Sequence, residues 1–194
     1  MGVLMQDLHR FYEHRWINPK AKCKSSGKGQ LGVFATGKIK AGEIIAVLGG
    51  VAIPKSEINR YWKRFGHEDG VQINDDFFIC PTSRREVKRT GTFNHSCEPN
   101  VGWLDSLTLI SIRAVKPGEQ LAVDYAFNEV TPMVGSKKII LPRCECGSKR
   151  CRKVVTIDDW KIKSIRNKYL RYFSPHVKSM FYKEFGNEGK ARFF

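Results

Sequence analysis

The stretch at residues 92–103, TFNHSCEPNVGW, sets His95, Ser96 and Cys97 side by side. These are residue types that hydrolases use as base and nucleophile. Four chemistries fit Cys97: a nucleophile, half of a disulfide, a buried apolar residue or a metal ligand. The hydrolase arrangement fits poorly, because adjacent residues on an extended strand point to opposite faces and do not meet as a pair. Further along, Cys144, Cys146 and Cys151 form C-x-C-x4-C. Cys144 and Cys146 are too close for an easy disulfide with each other. Three thiolates so near together raise one another's pKa unless a cation neutralises them, and a structural zinc site does so with four ligands. The cluster supplies three. Cys80 ends the strand-like run DDFFIC and reads as core; Cys23 sits in a Lys/Ser-rich loop and could serve, as could Cys97. Spacing alone does not choose between them.

The elements that must position these groups read as mostly β. Two apolar runs, LGVFA and EIIAVL, are separated by a turn at Lys40, Ala41 and Gly42. GVQINDDFFIC reads as a hairpin turning at Asn74 and Asp75. LDSLTLISIRAVKPGEQLAVDYAF gives two more strands, broken at Lys116, Pro117 and Gly118. Helices flank this region. The N-terminal residues place Leu4, Leu8, Phe11 and Tyr12 on one face, and an internal helix after Pro54 carries Ile58, Tyr61, Trp62 and Phe65 at helical spacing. Residues 131–142 read as a flexible connector. Asp158 or Asp159 is positioned to cap a helix bearing Trp160, Ile165, Tyr169 and Phe173. Ser174 and Pro175 read as an N-cap and first helical position, opening a helix with Val177, Met180, Phe181 and Phe185.

The bulk numbers narrow the class. With 194 residues, 41% hydrophobic and 27% charged, the composition is that of an ordinary globular protein of one elaborated domain. The longest apolar run, IIAVLGGVAI, is too short to cross a bilayer. The N-terminus has no basic segment followed by an apolar core, so it does not read as a secretory signal, and Gln6 argues against myristoylation. The expected location is intracellular: cytoplasmic, or nuclear in a eukaryote. Net charge is +15, and residues 137–194 hold 16 Lys and Arg against 5 Asp and Glu. Such a basic tail suits an acidic partner such as nucleic acid or a nucleosome, or is simply a solvated helical face.

NHSCEPN at 94–100, then GEQLAVDY at 118–125, then C-x-C-x4-C, resembles a SET-domain protein-lysine methyltransferase with a post-SET zinc-binding tail. The ordered set is far more specific than any one motif, and the resemblance runs from about Lys22 to Val155. It implies a mainly β, β-clip fold of short sheets with a threaded, pseudoknot-like segment and α-helical N- and C-terminal flanks. The implied division is an N-terminal helical flank over 1–21, a SET domain over 22–130 with an insert at about 54–79, a zinc-binding post-SET segment over 141–155, and basic C-terminal helices over 156–194.

The resemblance also implies methyl transfer from S-adenosyl-L-methionine to a lysine ε-amine of a protein, histones or other basic chromosomal proteins included. Tyr125 matches the catalytic tyrosine. Lys28, Gly29, Leu31, Gly32, Val33, Phe34, Asn94, His95 and Tyr125 match cofactor-binding positions. The usual Gly-x-Gly before Val-Phe-Ala is replaced here by Gln30-Leu31-Gly32, with Gly29 one position early. Trp103, Val123 and Phe127 are expected at the lysine channel. A valine at 123, where many members carry Phe or Tyr, leaves room for more than one methyl. One structural zinc on Cys97, Cys144, Cys146 and Cys151 completes the expectation. The alternative is a catalytically silent SET fold serving as a zinc-stabilised chromatin- or nucleic-acid-binding module.

Overall fold

The computed structural model describes residues 15–27, 30–65, 69–90, 92–132 and 135–186. The expected N-terminal amphipathic helix, Lys28, Gly29 and the end of the basic tail lie outside these residues. What precedes the main domain within them is extended, not helical: β1, Trp16–Ile17, pairs antiparallel with β4, Ile44–Val47.

Four small sheets build the fold. The first has β1 and β4 followed in space by β9, Thr108–Ser111, and β8, Val101–Trp103. The second places β3, Gln30–Ala35, between β10, Gln120–Leu121, and β2, Ala21–Gly27. The third orders β5, Val51–Pro54, with β7, Phe77–Cys80, and β6, Val71–Gln72. The last is a ribbon of β11, Ile139–Leu141, and β12, Val155–Thr156. Every strand pairing within these sheets is antiparallel. Hairpins join β2 to β3, β6 to β7 and β8 to β9, while β1 with β4, β4 with β9, β3 with β10 and β5 with β7 are paired across longer connections.

The sequence patterns explain most of this. β2 alternates buried Ala21, exposed Lys22, half-buried Cys23 and exposed Lys24, the period-two signature of a strand with one wet face. Cys23 is therefore a strand residue, opposite Val33, and not a loop residue. The hairpin at 71–80 forms as read, with the Asn74 side chain accepting from Asp76 and Phe77 N–H to close the turn. Gly50 precedes β5 with φ +141, and a Cβ there would stand 1.8 Å from the Cys80 carbonyl oxygen, so the close approach requires glycine.

Helix α1, Ile58–Phe65, buries Ile58 and Trp62 against Phe78 and Cys80. The Trp62 ring meets Phe78 edge-on at 5.8 Å, and its indole N–H donates to Asp69 O at 3.1 Å. This segment thus carries a small core of its own. Helix α2, Arg84–Thr90, was not anticipated, yet its signal is present. Ser83 and Glu86 have the S-x-x-E spacing of a capping box: Ser83 Oγ accepts from Glu86 N–H, and Glu86 accepts from Thr82 N–H.

Of the two expected C-terminal helices, the first is broken and the second forms. A 3-10 turn at Asp159–Lys161 leads into α3, Lys163–Tyr169, then another at Leu170–Tyr172 and α4, Pro175–Phe185. Neither Asp158 nor Asp159 caps a helix; Asp159 instead accepts from the Thr156 N–H and hydroxyl. Ser174 does cap α4, accepting from Val177 N–H with proline next in sequence. Trp160, Phe173, Val177 and Phe181 join Val33, Ile45, Leu109, Leu121 and Phe127 in the main core. Fully burying each such side chain contributes roughly 1.5–3 kcal/mol. Within 131–142, the expected connector, Ile139–Leu141 is ordered as β11 against β12. No described helix is long and apolar enough to cross a membrane.

Candidate active site and metal centre

The local chain path around Val123 sets up the site. Val123 pairs in parallel with His95 on one side and Val101 on the other, through Val123 N–H to Asn94 O and Ser96 N–H to Val123 O. Asn100 locks the same crossing: its amide donates to Gln120 O, and its Oδ1 accepts from Ala122 N–H. This crossing is the threaded segment of the fold, and it carries NHSC directly alongside the strand that ends in Tyr125.

Tyr125 opens a 3-10 turn, Tyr125–Phe127, capped by Asp124, whose Oδ1 accepts from Ala126 N–H at 3.0 Å. The buried Asp124 carboxylate is gripped by Arg152 through two hydrogen bonds of 2.7 and 2.6 Å. Arg152 Nε also lies 2.7 Å from Asp159 Oδ2. The arginine from the cysteine-rich tail therefore fastens both the tyrosine's turn and the start of the C-terminal helices. Asp124 is a structural residue, as its place in the motif suggested.

His95 is fully committed. Tyr125 N–H donates to its Nδ1 at 3.2 Å, which puts the proton on Nε2, and Nε2 faces Cys97 Sγ at 3.2 Å. Burial pushes the imidazole down to about 4, so the ring is neutral at ordinary pH. Both ring nitrogens are thus engaged inside the protein, and a ligand would meet the backbone or carbon edge of His95 instead. The contact also revises the geometric case against a Cys-His pair. His95 and Cys97 are two apart, not adjacent, and share a face. Their contact serves the sulfur cluster.

That cluster consists of Cys97, Cys144, Cys146 and Cys151, whose sulfurs all lie within 4.8 Å of one another. Cys97 Sγ and Cys144 Sγ are 4.0 Å apart. A tetrahedral zinc site with Zn–S bonds of about 2.3 Å has sulfurs about 3.8 Å apart. Backbone N–H groups of Arg152 and Lys153 point at Cys97 Sγ and Cys151 Sγ, as expected around thiolates. Burial, opposed by Arg152 and aided by Cys146, pushes the Cys97 thiol up to about 11, so a cation is what would hold it ionised. The four residues fit one structural zinc. Cys80, fully buried in the small core beside Trp62, and Cys23, on β2, are elsewhere.

Two cavities meet at Tyr125. One, of about 590 Å³, is bordered by Ser26, Gly27, Gln30, Asn94, His95, Gln120 and Tyr125, and by Leu141 to Cys146 of the tail apart from Pro142. The other, of about 310 Å³, is bordered by Trp62, Asp69, Phe93, Trp103, Val123, Tyr125, Glu129 and Leu141 among others. Burial raises the Tyr125 phenol well above its ordinary value, with the nearby Glu129 and Asp69 charges adding to the effect.

The larger cavity has features of a polar-ligand site. Gln120 Nε2 is buried with no hydrogen-bond partner among the described residues. Gly32 lies behind this wall: a Cβ there would stand 2.5 Å from Gln120 Nε2 and 2.9 Å from Asn94 Nδ2, so the glycine lets both amides pack against β3. Asn94 is held in place by donating to Leu31 O at 3.0 Å. Of residues 30–34, only Gln30 borders this cavity. Val33 alternates into the main core, and Phe34 lies beneath the Lys24 ammonium at 4.5 Å, because β3 is paired on both edges.

Trp103 and Val123 border the smaller cavity as expected. Phe127 does not; it is fully buried, stacked near Phe173 and Tyr169 at 5.1 and 5.4 Å. It is a core residue. The sequence reading missed Gln120, Glu129, Leu141 and Arg152. Glu129 sits one turn after the motif tyrosine, with its N–H bonded to Tyr125 O, and no sequence pattern marks it. Asp69 also borders the smaller cavity and is paired with Arg15 at 3.2 Å. Asp75 lies away from it near His176, and Glu68 is outside the described residues.

The SET-domain family profile matches residues 30–126. The chain is 26% identical over 167 residues to histone-lysine N-methyltransferase Su(var)3-9 of Drosophila melanogaster, covering 76% of this chain and 26% of that protein. It is 31% identical over 134 residues to histone-lysine N-methyltransferase trithorax of Drosophila virilis, covering 63% of this chain and 3% of that protein. The chain therefore spans about a quarter or less of these relatives. The methyltransferase domain of human histone-lysine N-methyltransferase SETMAR superposes with a TM-score of 0.53 at 19% identity, over 71% of this chain and 58% of that one, and so shares its fold. Together with the threaded NHSC crossing, the profile match and a four-cysteine tail that fits a post-SET zinc site, these findings make the chain a member of the SET-domain family.

Proposed function

We propose that the protein is an S-adenosylmethionine-dependent protein-lysine N-methyltransferase. The single observation that carries this reading is Tyr125 at the wall shared by two cavities of unlike character. The larger, with Asn94 and the unpartnered Gln120 amide in its wall, suits a polar nucleotide-like donor. The smaller, walled by Trp62, Phe93, Trp103 and Val123 with two carboxyls, suits an aliphatic side chain ending in a cation.

S-adenosylmethionine would supply an activated methyl on a sulfonium. Asn94, Gln120 and the backbone at His95 and Gln30 would hold it. The protein's share of the chemistry is alignment and exclusion of water. Tyr125, anchored through its N–H to His95 and through its turn to Asp124 and Arg152, lines both cavities, and on this reading its hydroxyl meets the reacting groups. Its raised pKa keeps the phenol neutral, a hydrogen-bonding group and not a base. Trp103 and Val123 line the lysine channel, and zinc on the four cysteines closes the tail over both cavities. The relatives' names point to histones as the substrate class, and the basic tail suits a nucleic-acid-bearing, nuclear target such as a nucleosome.

The second reading, a silent SET fold that binds chromatin or nucleic acid, rests on that same charge: 16 Lys and Arg against 5 Asp and Glu in residues 137–194. Labelled S-adenosylmethionine with unfractionated core histones, and separately with whole-cell lysate, separates the two. Wild type should transfer label and Tyr125→Phe should lose it by roughly 10²-fold or more while still binding the donor. No incorporation by folded, zinc-loaded wild type would favour the binding module.

A further inference from the structure

A lysine side chain reaches a methyltransferase as an ammonium, which has no lone pair to attack with, so a proton must leave first. The ordinary lysine value is about 10.4, and burial beside a sulfonium lowers it. The proton still needs somewhere to go, and Tyr125, with its phenol raised by burial, is no acceptor. The smaller cavity contains a carboxyl that no motif announced. Glu129 borders it together with Tyr125, one turn along the same chain segment, and its charge is felt at the Tyr125 phenol. The groups around it are few. Asp69, the other carboxyl at the cavity, is paired with Arg15, while no described Lys, Arg or His is ion-paired with Glu129. The remaining wall near Tyr125 is Val123, Trp103, Phe93, Ile140 and Leu141, none of which titrates.

Resting on the methyltransferase reading, we propose that the Glu129 carboxylate accepts the proton of the substrate lysine. The N–H bond of the ammonium breaks, an O–H bond forms on Glu129, and the electron pair stays on nitrogen as the nucleophile. No oxidant or further reactant is needed, and the carboxyl returns its proton to water after product leaves. Burial pushes Glu129 up to about 7, against an opposing hydrogen bond from the Asn128 side chain and with the Asp69 charge adding to the rise. That value lies near working pH, where proton acceptance is most effective. The same carboxylate gives an incoming cation a counter-charge before the transfer, and leaves a neutral wall after it.

The test compares wild type, Glu129→Gln and Glu129→Asp with core histones and labelled S-adenosylmethionine across pH 6.5 to 9.5. Thermal melts and zinc content confirm folding. The expected result is a roughly 10²-fold drop in kcat for Glu129→Gln at pH 7, with KM changed much less. Wild-type kcat/KM should rise through about pH 7, a step absent in Glu129→Gln, whose rate should climb toward wild type as the substrate amine ionises by itself. Glu129→Asp should recover part of the loss. Identical pH profiles would overturn the proposal, as would a Glu129→Gln effect confined to KM, which marks charge docking alone. Should Glu129→Gln not fold, carbon-13 titration of glutamate carboxyls in wild type with and without a lysine peptide decides. A Glu129 midpoint below pH 5 in both states overturns the proposal, and a midpoint near 7 that moves on peptide binding supports it. Transfer by wild type that is indifferent to Glu129 sinks only this inference, whereas no transfer by wild type sinks the methyltransferase reading with it.

Discussion

The two cavities flanking Tyr125 are built in different ways. The larger takes its walls from the NHSC crossing, from the β2–β3 turn and from the residues around Cys144 and Cys146. The smaller is assembled from the small core around Trp62, the residues after Tyr125, and Leu141. Both draw on segments far apart in sequence. The first is lined mostly by polar residues of the motifs and the tail, the second mostly by apolar side chains. A ligand common to a whole family can be held by fixed backbone geometry, whereas a variable substrate is met by replaceable side chains. Tyr125 and Leu141 belong to both.

The largest test of this contrast removes what both sides share. Cys97→Ser, or chelation of the wild-type protein, should release one zinc per chain and free the tail that carries Leu141 and Arg143 to Cys146. Transfer should fall by at least about 10²-fold, in line with losses at metal-site ligand shells, though Cys97 contributes no group to the chemistry. Metal analysis with Cys80→Ser as the control checks it, since Cys80 lies in the separate small core and should keep its zinc. Next comes Arg152→Met. It leaves the Asp124 carboxylate buried without its partner and should cost about 3–5 kcal/mol of stability, read from denaturant midpoints. Both cavities should suffer, because that arginine secures the Tyr125 turn.

Gly32→Ala should strike one side only. Its Cβ collides with Gln120 and Asn94 amides, so donor binding by calorimetry should weaken by about tenfold, the effect of 1–3 kcal/mol of crowding. The KM for the protein substrate should stay put. The smallest change in rate, with the sharpest change in product, is expected for Val123→Phe. A ring in the smaller cavity should stop the reaction at monomethyl-lysine, while wild type proceeds further; intact-mass spectra of exhaustively treated substrate report this. Only monomethyl product from wild type would remove the contrast at this position.

Legibility in the sequence followed the same divide. The four clustered cysteines, Asn94, His95 and Tyr125 stood out because their motifs are short and ordered, and the structure brings them together. Strand alternation in β2 and the turn chemistry of Asn74 were readable as local physics. What was not readable depended on tertiary pairing. Phe127 is aromatic and adjacent to the tyrosine, yet its direction was set by packing against Phe173 and Tyr169. Val33 and Phe34 lie in a motif, but the two-sided pairing of β3 decides which of them faces what. The broken C-terminal helix reflects Asp159 being drawn to Thr156 and Arg152 instead of serving as a cap. Glu129 follows no pattern that names it, and only the shape of the cavity singles it out.

Leu141 ends a three-residue strand held to a two-residue partner across a shifted register. So slight a ribbon opens at little cost compared with unfolding the main core. Because Leu141 is a wall of both cavities, each opening would merge them and admit water to the reaction centre. On the methyltransferase reading, the working state is then one arm of a local equilibrium, and occupancy of the two cavities should draw that equilibrium shut. Amide exchange at Ile140 and Leu141 would report how often the two cavities stand apart and how often they are merged.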